Sequence, residues 1–247
     1  PQPPAAVITG DIVFAGKDIL QMSQNELYKM RGKDISMIFQ NPMSAFDPVI
    51  PIGKQVAEPI EFHEHIPEKE RIQRVAELFK EVGISNPEYR VKQYPHEFSG
   101  GMLQRAMIAS GLICSPQIVL ADEPTTGLDV TIQAQIVRLV KKLQKARKTS
   151  WIWITHDLSL LASFADRILV MYGGSIVEEA LVEELYGSPM HPYTQGMLEA
   201  IPSHLKEAPE ILYSIPGLPP DPKHLPAGCA FCDAANASPF AEQKRLE

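Results

Sequence analysis

Short apolar runs alternate along most of the chain with longer segments that are typical of helices. Three runs have the length and the continuous apolar character of buried parallel strands: 35–39, 117–122 and 150–155. Helices are predicted between these runs: 67–82, 101–114 and 132–148. This alternation predicts an α/β fold whose sheet is mainly parallel.

Turn-forming residues divide the predicted elements. Two hairpins are predicted, at 10–20 and 167–179. Ser23 and Glu26 have the spacing of a capping box and open a short helix, whereas 41–53 is rich in turn residues. The sequence becomes proline-rich at Ser188. We expect one helix at 193–200 there, followed by an extended tail that packs on the domain or is partly disordered.

The composition narrows the class of protein. The chain has 247 residues, of which 45% are apolar, enough for a sizeable core. Its net charge of −7 and the lack of a long basic block argue against nucleic acid as the main partner. No run of 18 uncharged apolar residues and no signal peptide are visible. We expect a soluble cytoplasmic protein that could dock on a membrane partner.

Polar side chains stand where the predicted strands end. Asp122 and Glu123 follow a buried run, His156 follows the next run, and Gln40 follows the first. Ligands of open α/β sheets bind at this edge. Asp122 or Gln40 could hold Mg²⁺, and Glu123 could act as a general base on water. Each residue alone also fits a structural role, such as a salt-bridged strand end or a structural histidine.

A serine and two glycines, Ser99, Gly100 and Gly101, precede a predicted helix. Free N–H groups and the dipole make a helix N-terminus a phosphate site, and glycines let the backbone approach closely. A plain serine-capped helix explains the same residues. Asp129 likewise either belongs to a functional loop or simply caps the next helix.

The order of these motifs closely resembles the nucleotide-binding domain of ABC transporters. The matching parts are the Q-loop Gln40, the signature motif Phe98–Met102, the Walker B strand Ile118–Asp122 with catalytic Glu123, the D-loop Gly127, Leu128 and Asp129, and the H-loop His156. The resemblance implies a P-loop NTPase-type α/β fold with an α-helical subdomain. Its signature departs from the usual LSGGQ at Phe98 and Met102.

The resemblance also implies roles and cofactors, namely ATP and Mg²⁺. Gln40 and Asp122 would lie at Mg²⁺. Glu123 would activate water, and His156 would hold the γ-phosphate. Other residues would meet the ATP of a partner subunit: Ser99, Gly100, Gly101 and Met102. The implied partners are a second ABC ATPase, identical or different, two membrane permease subunits and, indirectly, an extracytoplasmic solute-binding protein, with no nucleic acid.

Two stretches resemble the ATPases of di- and oligopeptide importers, namely "MIFQNPMSAFDP" and the C-terminal "SPMHPYTQGMLEAIP". The resemblance implies a peripheral subunit on the cytoplasmic face of the plasma (inner) membrane that hydrolyses ATP to energise import. Nickel or another solute stays open as the cargo. A non-catalytic partner that contributes only its signature motif also stays open, as does a soluble ABC ATPase acting on nucleic acid or ribosomes.

The P-loop pattern G-x-x-x-x-G-K-[ST] does not occur in the chain. We therefore expect a truncated chain without the N-terminal strands and the P-loop helix, whose own-site hydrolysis is doubtful. The predicted division is a remnant of the N-terminal part (1–40), a helical signature subdomain (41–115), a catalytic α/β core (116–187) and a proline-rich C-terminal extension (188–247).

The three cysteines do not form a disulfide framework. Cys229 and Cys232 have metal-ligand spacing, but two ligands are too few for a closed structural site. The pair resembles a remnant of the cysteine-rich motif of peptide importers, and we expect no iron–sulfur cluster or metal on it. Cys114 lies in a predicted core helix, where a free cysteine behaves as a small apolar residue.

Overall fold

The computed structural model describes residues 9–201 and, beyond them, 215, 220, 221, 223, 226, 228, 230 and 231. The chain forms two compact units, Pro1–Thr155 and His156–Glu247. The boundary between them lies inside the predicted segment 116–187. The four-part division of the sequence was drawn on other grounds, and it stays a prediction.

The first unit contains most of the regular structure. Its strands and helices, in chain order, are β1 (Val13–Phe14), β2 (Lys17–Asp18), α1 (Gln24–Met30), β3 (Ile35–Ile38), α2 (Pro42–Ala45), α3 (Ile52–His63), α4 (Glu68–Glu81), α5 (Pro87–Arg90), α6 (Gly100–Leu112), β4 (Ile118–Asp122), α7 (Val130–Arg147) and β5 (Ser150–Ile154). Short 3₁₀ turns lie at Ile19–Gln21 and Pro95–Glu97. The predicted hairpin at 10–20 and the Ser23–Glu26 capping box are confirmed.

A three-stranded parallel sheet in the order β3-β4-β5 confirms the predicted parallel arrangement. In its register, Ala121 lies between Ile38 and Trp153. Helices α6 and α7 share one apolar cluster with this face of the sheet, on which Val119 and Ala121 are fully buried.

The run 117–122 was expected to form a strand covered on both faces, but β4 is fully buried on one face only: Val119 and Ala121 are fully buried, whereas Ile118 and Leu120 are half-buried. On the opposite face Ile152 is 53% exposed and Ile154 is 52% exposed, and Met37 of β3 is also exposed. In the described part of the chain, the helices that share the sheet's apolar cluster pack on one face only. A continuous apolar run reports the hydrophobicity of both faces, but it does not report whether each face is covered.

Helix α3 was not predicted: the stretch 41–53 was described as rich in turn residues, and no element was predicted between it and the helix expected from residue 67. The backbone N–H of Ile52 donates to the carbonyl of Gln93 at 2.8 Å, and that of Gly53 donates to the carbonyl of Val91 at 3.0 Å. These contacts satisfy N–H groups that the first turn of any helix leaves unpaired. The buried face of α3 then packs on α4 and α6: Ile52, Val56, Ala57 and Ile60.

Arg147, the last residue of α7, connects three helices of the first unit. Its guanidinium forms an ion pair with Glu81 of α4 at 2.5 Å and donates to the carbonyl of Leu112, at the end of α6, at 3.2 Å. Cations near a helix C-terminus also complement the helix dipole. Arg147 thereby connects the C-terminal end of α7 to α4 and α6.

The second unit is built on an antiparallel hairpin. Its elements are α8 (Leu158–Leu161), β6 (Arg167–Tyr172), β7 (Ser175–Leu181), α9 (Val182–Gly187) and α10 (Pro192–Glu199). The hairpin of β6 and β7 turns at Gly173 and Gly174, as predicted, and α10 confirms the helix expected near 193–200. The Tyr186 hydroxyl donates to the backbone carbonyl of Leu158 and so ties α9 to α8.

The start of the proline-rich extension is anchored on this hairpin. The Glu178 carboxylate accepts hydrogen bonds from the backbone N–H groups of Met190 and His191, at 2.7 and 3.0 Å. The Tyr193 ring packs at a tilt against the rings of Tyr172 and Phe231. Cys229 and Cys232 lie outside the described residues. Among the residues that are described, no helix is both long and apolar enough to cross a membrane.

Candidate functional site: the carboxyl edge of the parallel sheet

Gln40 and Glu123 meet where β3 and β4 end. Ile38 pairs with Ala121 in the parallel register, so the residues two positions further on, Gln40 and Glu123, follow neighbouring strands at the same level. The Gln40 side-chain Nε2 donates to Glu123 Oε2 at 2.8 Å, although 83 positions separate the two residues. The structure therefore brings together two of the side chains singled out in the sequence.

The backbone of Glu123 has an unusual conformation. Its φ is +41°, in the left-handed region that non-glycine residues seldom adopt. Its N–H donates to the carbonyl of Ile154 at 2.9 Å, and its own carbonyl accepts from the N–H of Thr126 at 3.1 Å. Strain of this kind persists when surrounding contacts fix it, and it is concentrated at functional sites. The turn thus sets the direction in which the Glu123 side chain leaves the strand.

A third side chain, which the sequence did not single out, joins this pair. The Thr126 Oγ1 hydroxyl donates to the same oxygen, Glu123 Oε2, at 2.9 Å. A hydroxyl residue three positions after an acid in a turn is well placed for a local hydrogen bond. That spacing is the signal in "DEPTT" that could have identified Thr126.

Asp122 ends β4 next to this cluster and is half-buried. A carboxylate and the amide oxygen of Gln40 are both donors that Mg²⁺ accepts. In the residues that the structure describes, no group of three or more His, Cys, Asp or Glu side chains could hold a metal. Mg²⁺ is commonly bound by one or two protein oxygens together with phosphate oxygens, and the carboxylate of Asp122 and the amide oxygen of Gln40 are donors of that kind.

The predicted signature motif forms the N-terminus of α6. Ser99 is its N-cap, and the Ser99 hydroxyl accepts a hydrogen bond from the N–H of Met102 at 3.3 Å. A Cβ atom on Gly101 would lie 3.1 Å from Ile132 Cγ2, and one on Gly100 would lie 3.8 Å from Leu128 Cδ2. Ser99 therefore caps the helix, as the simpler interpretation held. Contact of the motif with phosphate stays a prediction.

The predicted D-loop lies beside that helix start. Asp129 is the N-cap of α7 and accepts from the N–H of Ile132 at 2.9 Å, so its capping role is confirmed. Gly127 has a φ of +78°, which completes the turn, and Leu128 is the residue that faces Gly100. Signature and D-loop residues are thus neighbours within the first unit.

His156 is the first residue of the second unit and is exposed. The next residue, Asp157, caps α8 by accepting from the N–H of Leu160 at 3.2 Å. His156 lines a cleft of about 490 Å³ together with Met197 and Ile201. The proposed contact of His156 with a γ-phosphate stays a prediction.

Comparison with known proteins gives the class to which this fold and site belong. Residues 3–126 match the family described as "ABC transporter". A solved dimeric structure of the ATP-binding cassette MJ0796, in a post-hydrolysis state with ADP and Pi, superposes with a TM-score of 0.63 at 27% identity. The superposition covers 70% of this chain and 74% of that one. The chain therefore belongs to the ABC transporter family of ATP-binding proteins.

Its C-terminal part defines the group within that family. Residues 177–237 match the "Oligopeptide/dipeptide transporter, C-terminal region" family. The oligopeptide transport ATP-binding protein OppD of Bacillus subtilis (strain 168) is 50% identical over 231 residues, which are 94% of this chain and 64% of OppD. AppD of the same organism, also an oligopeptide transport ATP-binding protein, is 46% identical over 91% of this chain and 68% of its own length.

These comparisons confirm the predicted family and its oligopeptide/dipeptide type. They also confirm the coarse fold class, an α/β cassette with a parallel sheet and a helical subdomain. The chain spans about two thirds of the length of the relatives it matches, 64% of OppD and 68% of AppD.

Proposed function

We propose that this chain is the ATP-binding and ATP-hydrolysing subunit of an ABC importer for di- or oligopeptides. The observation that carries the proposal is the hydrogen bond between Gln40 and Glu123 at the carboxyl edge of the sheet, 2.8 Å long. The oligopeptide-type C-terminal region and the relatives named for oligopeptide transport support the choice of substrate.

Each residue of the edge has a distinct task in this proposal. Glu123 accepts a proton from the water that attacks the γ-phosphate, while its Oε2 is held by neighbouring donors. Asp122 and Gln40 hold Mg²⁺, which when bound neutralises charge on the phosphate oxygens. His156 donates a hydrogen bond to the γ-phosphate.

The signature helix acts in a second site. In the proposed dimer, Ser99 and the N-terminus of α6 meet the γ-phosphate of the ATP held by the partner subunit, and Met102 lies beside it. Gly100 and Gly101 allow that approach because they carry no side chain. The dimeric structure of the MJ0796 cassette supports a dimer of this kind.

We infer that the partners are a second ABC ATPase, identical or different, two permease subunits and, through them, an extracytoplasmic solute-binding protein. The surface of residues 41–115 is the proposed docking site for the permease. The subunit would then lie on the cytoplasmic face of the plasma membrane. Binding of MgATP at its own site requires a phosphate cradle, and the 247 residues contain no P-loop pattern to supply it.

The test replaces the proposed base in the assembled transporter that is made from the complete gene product. Glu123→Gln should lower ATP turnover by about 10²–10⁴-fold while ATP binding is retained, because the amide cannot accept the proton. Glu183→Gln is the matched control, since Glu183 is an exposed carboxylate of α9. Near-normal hydrolysis by Glu123→Gln would overturn the proposal, and uptake of labelled dipeptide against nickel would identify the cargo.

One alternative function is supported by a separate observation. The signature residues Ser99, Gly100 and Gly101 are present although no P-loop pattern accompanies them, so the chain could serve only the site of a partner. MgATP binding separates the two functions. A complete gene product that binds MgATP at its own site supports the ATPase, whereas one that binds none and still stimulates a partner ATPase supports the alternative.

A further inference from the structure

Glu123 is held by two donors that come from different parts of the first unit. Gln40 reaches it from the end of β3, and Thr126 reaches it from the turn that follows β4. Both donate to Oε2, at 2.8 and 2.9 Å. The base is therefore not merely placed at the sheet edge, because its carboxylate is also oriented there.

Thr126 is the more rigid of the two donors. Its N–H donates to the Glu123 carbonyl at 3.1 Å, so backbone and side chain both connect the ends of one turn. The carbonyl of the preceding Thr125 accepts from Gln133 Nε2 at 3.1 Å and from the N–H of Leu128 at 3.3 Å. A β-branched side chain also has few χ1 rotamers. The Thr126 hydroxyl is thus fixed before any substrate arrives.

A fixed donor matters because a glutamate side chain loses rotamer freedom when it is aimed at one water molecule. Long polar side chains such as glutamate are among those that lose most rotamer freedom when they are ordered. A donor that already holds the carboxylate has restricted this freedom in the resting protein, before the water arrives.

We propose that Thr126 is a positioning residue for the reaction: its hydroxyl holds the Glu123 carboxylate in the orientation from which it meets the attacking water. The proposal rests on the function proposed above, in which Glu123 is the base. Gln40 has a second task at Mg²⁺ in that function, whereas the hydroxyl of Thr126 has none, so its contact with Glu123 does not depend on the metal.

The experiment compares three substitutions in the assembled transporter. Thr126→Val keeps the shape and removes the hydroxyl, Thr126→Ala removes the hydroxyl without the bulk, and Thr126→Ser restores it. We expect Val and Ala to lower kcat for ATP about tenfold with an unchanged KM. Ser should keep the kcat and the KM of the unsubstituted protein, because it restores the hydroxyl.

Two results would overturn the proposal: an unchanged kcat in both the Val and the Ala variants, or a Ser variant whose kcat falls as far as that of Val. Because Thr126 is exposed on a surface turn, all three variants should fold, and thermal unfolding checks this. A threonine with a merely structural role would change the melting temperature without a selective loss of kcat that Ser rescues.

A double substitution separates this inference from the proposed function. In a Glu123→Gln background, Thr126→Val should have no further effect on the residual turnover, because the group that it positions is gone. A further tenfold loss there would overturn the positioning role alone. Full activity of Glu123→Gln would overturn the proposed function itself, so the two failures are distinguishable.

Discussion

Gly100 and Gly101 stand next to each other at the start of α6, but the structure predicts opposite consequences for stability when each becomes alanine. A Cβ at position 100 finds ordinary van der Waals contact, with Leu128 Cδ2 at 3.8 Å. A Cβ at position 101 would lie 3.1 Å from Ile132 Cγ2, closer than carbon atoms normally approach. The two alanine variants therefore serve as controls for each other.

The expected magnitudes follow from two opposing effects. Alanine favours a helix over glycine by up to about 1 kcal/mol, and both variants share this gain. Overpacking of a well-packed contact costs about 1–3 kcal/mol, and only Gly101→Ala incurs it. Taking about 2 kcal/mol as the difference in the free energy of unfolding, Gly101→Ala should melt about 6 °C below Gly100→Ala in a domain of this size.

Thermal unfolding of the complete protein, followed by far-UV circular dichroism, measures this difference. Ile132→Leu removes the Cγ2 branch, so Gly101→Ala should lose most of its penalty in that background. Melting temperatures of the two alanine variants within 1 °C of each other would refute the reasoning. Both variants should nevertheless lose ATP turnover if this helix start meets the nucleotide of a partner subunit, so stability and activity separate in Gly100→Ala.

Two further predictions concern the core and the thiol of the first unit. A Cβ on Gly53 would lie 2.4 Å from the Val91 carbonyl oxygen, so Gly53→Ala should destabilise the protein by more than about 3 kcal/mol in denaturant unfolding. Gly187→Ala, where nothing lies within 4 Å, should stay within about 0.5 kcal/mol, and an equal effect of both would contradict this. Burial raises the pKa of the Cys114 thiol to about 11. Only the thiolate reacts with iodoacetamide, so alkylation of Cys114 at pH 8 should be more than about tenfold slower than that of free cysteine and should accelerate up to pH 10. Mass spectrometry of the peptide that contains Cys114 measures the rate. Alkylation at the rate of free cysteine would show that the thiol is not buried.

The sequence was sufficient to predict the elements that depend on a local pattern of apolar residues. Strands β3, β4 and β5 read as continuous apolar runs, and their parallel order follows from the helices between them. The cluster at the sheet edge could be predicted in part, because Gln40 and Glu123 both follow strands that end at the same edge. The family resemblance came from the order of such motifs rather than from any one of them.

Other features depend on contacts that pattern does not encode. Helix α3 contains Pro59 and begins after Pro51, and its first N–H groups are satisfied by the carbonyls of Gln93 and Val91, some 40 positions away. Thr126 was missed because its partner is a side chain whose direction depends on the left-handed backbone of Glu123. Which face of a strand is covered is likewise decided by packing.

The uncovered face of the sheet affects the solubility of the chain. Met37, Ile152 and Ile154 form a strip of exposed apolar side chains on a flat β-surface. Exposed apolar strips of this kind promote aggregation in concentrated solution. For recombinant production, threonine at position 152 would keep the β-branched shape that strands favour while making the strip more polar. Ile154 is best left unchanged, because its backbone carbonyl accepts a hydrogen bond from the N–H of Glu123, whereas Ile152 pairs with Leu120 of β4, two positions before Asp122. A variant changed only at position 152 leaves that backbone contact of Glu123 unaltered, so the proposed chemistry stays open to measurement.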